Sequence, residues 1–163
     1  MKYECIKKKV ILIIAFIIIL INFSYSITAQ DIDESAVSEC YSLTDNNKYS
    51  EAIDCFDKII EADNKNIKAL LGKGVVLYLL QKHSKAIEMF IAITELDSNN
   101  KEAWYYKGLI EYEAGRFQDS LLSLDKAINI NPEYTVAKTT KCSVLNELGR
   151  EDELKKCLKE IKQ

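Results

Sequence analysis

The chain has 163 residues, 48% of them apolar, with 22 basic residues against 25 acidic and a formal net charge of −3. That is about one domain's worth of chain. A chain this acidic with no basic stripe is a poor prospect for nucleic acid, whose affinity rests on neutralising phosphates.

Residues 1–29 differ from the rest. Lys7, Lys8 and Lys9 precede an unbroken apolar run from Val10 to Ile21, and Ser24, Ser26, Thr28 and Ala29 follow it. A basic start, a short apolar centre and a small-residue end describe a secretory signal peptide, cleaved after Ser26 or after Ala29. The run is 12 residues long, shorter than the ~20 of a membrane span. Extending it to Ala29 gives 20 uncharged residues, so an uncleaved membrane anchor is the alternative. Under both readings the lysines stay cytoplasmic and the remainder is exported, secreted or anchored, with membrane contact only through 1–29. No Cys follows the run at a cleavage point and Cys5 precedes it, which argues against a lipid-modified N-terminus. Removing four Lys and one Glu with this segment leaves 18 basic and 24 acidic residues, a net charge of −6.

From Asp33 onward no strand-like alternation appears. Apolar periodicity predicts helices near Asp33–Asn46, Ser50–Ala62, Ile67–Leu80, Ser84–Leu96, Lys101–Ala114, Gln118–Ile130, Thr135–Leu148 and Glu151–Lys162. Asn64-Lys65-Asn66, Asp97-Ser98-Asn99-Asn100 and Asn131-Pro132 are turn-forming runs. Gly115 and Gly149 suit the left-handed residue that ends a helix. The last helix carries Leu154, Cys157, Leu158 and Ile161 on one narrow stripe, as the end unit of a stack requires.

The helices come in pairs that recur every 34 residues, giving gapless units 33–66, 67–100, 101–134 and 135–163. The small residue of the first helix is Cys40, Gly74, Gly108 and Cys142. Just past the turn stand Tyr49, His83 and Phe117, with Glu151 breaking the series. The second helix carries Ala52, Ala86 and Ser120, then Leu154, followed by Phe56, Phe90, Leu124 and Leu158. Two antiparallel helices approach closely only where one presents a small residue and a bulky neighbour fills the adjoining gap.

The third unit shows the pattern best, with Trp104, Gly108, Tyr112, Ala127 and Pro132. Together these residues resemble the tetratricopeptide repeat, whose signature has Trp, Leu-Gly and Tyr on the first helix, Ala and Phe on the second, and a closing Pro. The resemblance covers the chain from about Asp33, so 30–163 is read as one repeat domain. It implies an all-α fold, an α-solenoid of about four helix-turn-helix repeats. Lys107 in the usual Leu place, Glu111 in the usual Tyr place and the lack of Pro in other units depart from the signature.

The resemblance also frames the cysteines. Cys40 and Cys55 are 15 apart in the first unit, as are Cys142 and Cys157 in the last, at matching places. The middle units have Gly74 with Met89 and Gly108 with Ser123 instead. In the family's helix pair the small place of the first helix faces the second near Ala52 and Phe56, with Cys55 on that inward side. This implies disulfides Cys40–Cys55 and Cys142–Cys157, permitted in an oxidising compartment. Free thiols as small buried residues are the alternative, which accounts for Cys40 and Cys142 but not for their partners.

No catalytic constellation stands out. The only His, His83, occupies an aromatic place and is read as packed between helices, and the acidic residues are read as solvent-facing. Neither enzyme activity, a cofactor nor a metal site is expected; the cysteine spacing is not a zinc pattern.

In the family, first helices line a concave face that holds an extended peptide or a partner helix. By resemblance this face includes Val37, Tyr41, Leu71, Val75, Tyr78, Tyr105, Leu109 and Tyr112, an apolar and aromatic surface suited to a protein partner. Members that grip chaperone C-terminal tails have Lys and Asn where this chain has Val37 and Tyr41, so carboxylate-gripping chemistry is not expected. The leading expectation is an exported adaptor. The alternative is a self-associating or membrane-tethered structural protein, a homo-oligomer with no dedicated ligand.

Overall fold

The computed structural model describes residues 16–18 and 34–161. The chain divides into two units, 1–39 and 40–163. The segment read as a signal peptide or anchor lies outside the described residues except for Phe16, Ile17 and Ile18, which are helical and exposed. Among the described residues no helix is long and apolar enough to cross a membrane.

From residue 34 the described chain forms eight helices: α1 (34–45), α2 (Tyr49–Ala62), α3 (Ile67–Leu79), α4 (His83–Leu96), α5 (Lys101–Glu113), α6 (Phe117–Ile130), α7 (Thr135–Glu147) and α8 (Glu151–Ile161). From α2 onward each helix packs on the next. These bounds follow the sequence pattern to within a residue or two at each end.

The turns repeat as faithfully as the helices. Within each pair the chain reverses through a left-handed residue at the same register: Asn47, Gln81, Gly115 and Gly149, with φ of 58°, 59°, 73° and 66°. The N–H groups of the following Lys48, Lys82, Arg116 and Arg150 donate to carbonyls five residues back, at Leu43, Leu77, Glu111 and Leu145. This is the Schellman closure, which satisfies carbonyls that the helix end leaves open. Between pairs, Asp63, Asp97 and Asn131 accept from the N–H two residues on through their side chains. Asn66 and Asn100 then cap α3 and α5 by accepting from Ala69 and Ala103.

The core lies where small meets large. A Cβ on Gly74 would sit 2.8 Å from the Phe90 ring, and one on Gly108 would sit 2.9 Å from Leu124. Phe56, Phe90 and Leu124 are fully buried. Leu158, next in that series, is 47% exposed. In the first unit Cys40 and Cys55 are disulfide-bonded with Cα atoms 5.5 Å apart, and in the last Cys142 and Cys157 at 5.7 Å.

Charge placement obeys the repeat as well. Lys73 pairs with Asp57 sixteen residues earlier, and Lys141 pairs with Asp125 at the same spacing. The intervening place sets Lys107 against Ile91, so no acid stands at that position. Lys107 instead meets Glu111 Oε1 at 2.9 Å and donates to Ser123 Oγ at 2.9 Å. Ser123 in turn donates to Glu111 Oε2 at 2.6 Å. Glu111 is only 3% exposed, so the expectation that acidic residues face solvent fails there. The carboxylate is tolerated in the core because both its oxygens are bonded.

Two outcomes test this account. Glu111→Ala leaves the buried Ser123 hydroxyl without its acceptor and Lys107 without its counter-ion and lowers stability by roughly 1–3 kcal/mol, whereas the apolar triple Lys107→Leu/Glu111→Leu/Ser123→Ala leaves it unchanged or raised. Thermal denaturation gives the order, and the reverse order refutes the buried clasp. Gln81→Gly relieves a left-handed backbone and gains about 0.5–1 kcal/mol, while Gly115→Ala loses about 1 kcal/mol.

Candidate functional site

The face implied by the family resemblance is built by side chains spaced i, i+4 and i+7, which share one side of a helix. On α3 these are Leu71, Val75 and Tyr78, and on α5 Tyr105, Leu109 and Tyr112; all six are half-buried. The two helices are tied together here. Tyr78 Oη donates to Glu113 Oε1 at 2.6 Å, and the Tyr78 ring lies 6.0 Å from that of Tyr106.

Two residues of the expected face do other work. Val37 is 4% exposed, so it is core rather than lining, as an aliphatic side chain so far from water must be. Tyr41 sets its ring edge-on to Phe56 at 5.3 Å and donates its hydroxyl to the Lys68 carbonyl at 3.0 Å. It therefore joins two successive pairs and offers only its remaining surface. At the matching places of α7 stand Thr139, Ser143 and Asn146, all exposed. The Thr139 and Ser143 hydroxyls donate back to the carbonyls of Thr135 and Thr139. The apolar strip thus runs over α3 and α5 and gives way to a polar surface on α7.

Tyr106, absent from the expected face, organises its aromatic part. Its ring stacks on Phe90 at 5.0 Å with planes 9° apart and meets Tyr105 edge-on at 5.2 Å. Tyr105 continues to Tyr134 at 5.5 Å. The signal lay in the register: Tyr106 matches Gly72, where the Phe56 ring fills the space that a side chain would take.

Burial holds the Tyr78 hydroxyl well above its ordinary value of 10.0, helped by its bond to the Glu113 carboxylate. Burial also raises Tyr134, with the Glu102 charge adding to it. Tyr41 and Tyr106 are raised by burial first, then by neighbouring tyrosines.

His83 stacks on Tyr78 at 5.6 Å with planes 17° apart, the interhelical packing expected of it. Its Nε2 is buried and without a hydrogen-bond partner, 3.5 Å from Glu113 Oε2. Trp104 donates Nε1–H to the Ser98 carbonyl at 2.9 Å, and the Lys107 ammonium lies 5.5 Å from its ring centre. Among the described residues no group of three or more His, Cys, Asp or Glu could hold a metal ion.

Paired helices, a fixed register and a lining drawn from first helices define a helix-pair solenoid. The family model described as anaphase-promoting complex, cyclosome, subunit 3 matches residues 45–127. The chain belongs to this family of tetratricopeptide-repeat proteins.

Among solved structures it is similar to MamA, with a TM-score of 0.69 and 23% identity over 74% of this chain and 70% of that one. The form from Desulfovibrio magneticus RS-1 gives 0.66 and 19% over 80% and 72%. The first repeat domain of Spaghetti (RPAP3), solved with the HSP90 peptide SRMEEVD, gives 0.68 and 17% over 72% and 93%. At these identities the likeness concerns the fold. In sequence, the chain is 29% identical over 113 residues to a probable UDP-N-acetylglucosamine–peptide N-acetylglucosaminyltransferase, SPINDLY, of Solanum lycopersicum. The match covers 69% of this chain and 12% of that protein's length.

The raised tyrosines predict an alkaline limit with a definite sign. A hydroxyl whose folded value lies above its unfolded one favours the fold below pH ~10, and the contribution is lost as pH rises beyond that. Tyrosinate absorbance should therefore show a late fraction that ionises only as the fold opens. Tyr78→Phe should shrink that fraction and flatten the fall in stability above pH ~10.

Proposed function

We propose that the protein is an exported adaptor that binds a protein or peptide partner along the apolar, aromatic face of α3 and α5. The observation that carries this reading is that Leu71, Val75, Leu109 and Tyr112 stay half-exposed at repeating places, beside tyrosines locked by their own contacts. Rigid aromatic neighbours bind at little entropic cost, and a partly exposed aliphatic row is the kind of surface a partner covers. The Spaghetti domain, of similar fold, was solved with a peptide. Val37 and Tyr41 stand where the tail-gripping members have Lys and Asn, so an acidic tail finds no such grip, and the aliphatic row of Leu71, Val75 and Leu109 suits an apolar partner segment.

Export rests on the basic and apolar composition of 1–29, which either leaves the repeats free or holds them beside the membrane. In that oxidising setting both cysteine pairs are disulfides in the working protein.

The test is selection of peptides from a displayed random library on the full chain, followed by titration of the selected peptide. Val75→Asp and Leu109→Asp should each weaken binding by roughly tenfold or more, as loss of a central contact does. Leu122→Asp, at a site 69% exposed on α6, should not. Equal loss at all three sites refutes the face. A stable oligomer by light scattering that covers Tyr105 and Tyr112 would instead favour the self-associating reading. Intact mass from the native host shows whether 1–29 is retained.

A further inference from the structure

We infer that the Cys142–Cys157 bond is the main attachment of α8, whereas α2 does not depend on Cys40–Cys55, so a dithiol reductant releases α8 and uncovers α7. The inference rests on the oxidised state proposed above. Besides its cystine, α2 buries Ala52, Phe56 and Ile59 and packs on α3. α8 buries Cys157 and no other residue. Leu154 and Ile161 are half-buried and Leu158 is 47% exposed. The rest of α8 is Glu, Asp and Lys turned to solvent.

The Cys157 sulfur lies 3.5 Å from the Lys138 carbonyl oxygen, but in the disulfide it has no proton and donates nothing. Docking therefore depends on one covalent link and two half-buried side chains. An 11-residue helix cut loose from its support is too short to persist in water, so release is also unfolding. Departure exposes Leu145 and Cys142, since Leu145 shares the α7–α8 crevice with Cys157.

The chemistry is a thiol–disulfide exchange. One thiolate of the reductant attacks a protein sulfur and breaks the S–S bond. The reductant's second thiolate then displaces the protein from the mixed disulfide. Two electrons pass to the protein, the two cysteine sulfurs take up protons, and the reductant leaves as its own disulfide.

Hydrogen exchange read by mass spectrometry on the full chain, kept in detergent, oxidised and then reduced with dithiothreitol, tests this. Reduction should lower protection of the α8 amides on the order of 100-fold, the scale for opening a loop of this length. The α2 amides should remain roughly tenfold or more better protected than those of α8. Cys142→Ser/Cys157→Ser should reproduce the α8 loss without reductant, and Cys40→Ser/Cys55→Ser should not. Undiminished α3–α6 protection shows in each case that the array is folded. Retained α8 protection after reduction, or equal opening of α2, overturns the inference. Alkylation of native material before reduction reports separately on the oxidised state. Four free thiols there refute that state in the working protein, while the chain oxidised in vitro still decides whether α8 depends on its link.

Discussion

The closest approach of the two helices in each pair is the constraint on which the rest of the array depends. At that point the first helix must present almost no side chain, and the second must fill the space left. The four units meet this requirement at one register, with different chemistry. Gly74 admits the Phe90 ring and Gly108 admits Leu124. Cys40 and Cys142 turn the close approach into a covalent link, with Cα separations of 5.5 and 5.7 Å. A disulfide needs that spacing, so only helices already this close could accept one without moving.

The unit that has neither a ring nor a cystine shows how far one choice propagates. With Leu124 in place of Phe and Ser123 in place of Met or Cys, the third pair leaves room for the Glu111 carboxylate. The loss of an acid at Ile91 leaves Lys107 free to neutralise it. Ser120 adds a bond from its hydroxyl to the Gly108 carbonyl at 2.7 Å. A buried ion pair of this kind contributes little net stability against an apolar equivalent. It does specify orientation, because both carboxylate oxygens are bonded only in one packing of α5 on α6.

The fold was legible because a 34-residue period tests every position several times over. Small and large residues that look ordinary singly become informative when they recur at a fixed interval. Glu111 was misread for the complementary reason. Its burial depends on three residues from two helices together with an absence at Ile91, and periodicity in one helix carries none of that. The left-handed turn at Gln81 was hidden by a residue type that does not announce positive φ, although Asn47, Gly115 and Gly149 mark the same register. The candidate face was legible in part. The family resemblance placed Leu71, Val75, Leu109 and Tyr112 on one face, but only three dimensions show that Val37 is core and that Tyr41 bridges two pairs. Tyr106 escaped because in its register it replaces a glycine, and a ring's direction cannot be read from a row of letters.

The same reasoning links the two disulfide-bonded pairs to the two between them. Here the covalent links sit in the first and last pairs, and the noncovalent solutions sit between them. The distribution fits the mechanics: α4 and α6 each bury an aliphatic or aromatic row against two neighbours, whereas α8 is amphipathic along a single narrow stripe. A charged outer face is compatible with water but supplies no cohesion, so a helix built this way needs another attachment. The cystine provides it at the one place where the fold already brings two backbones within reach. The chemistry that fixes α8 is therefore a special case of the packing that builds the pairs before it.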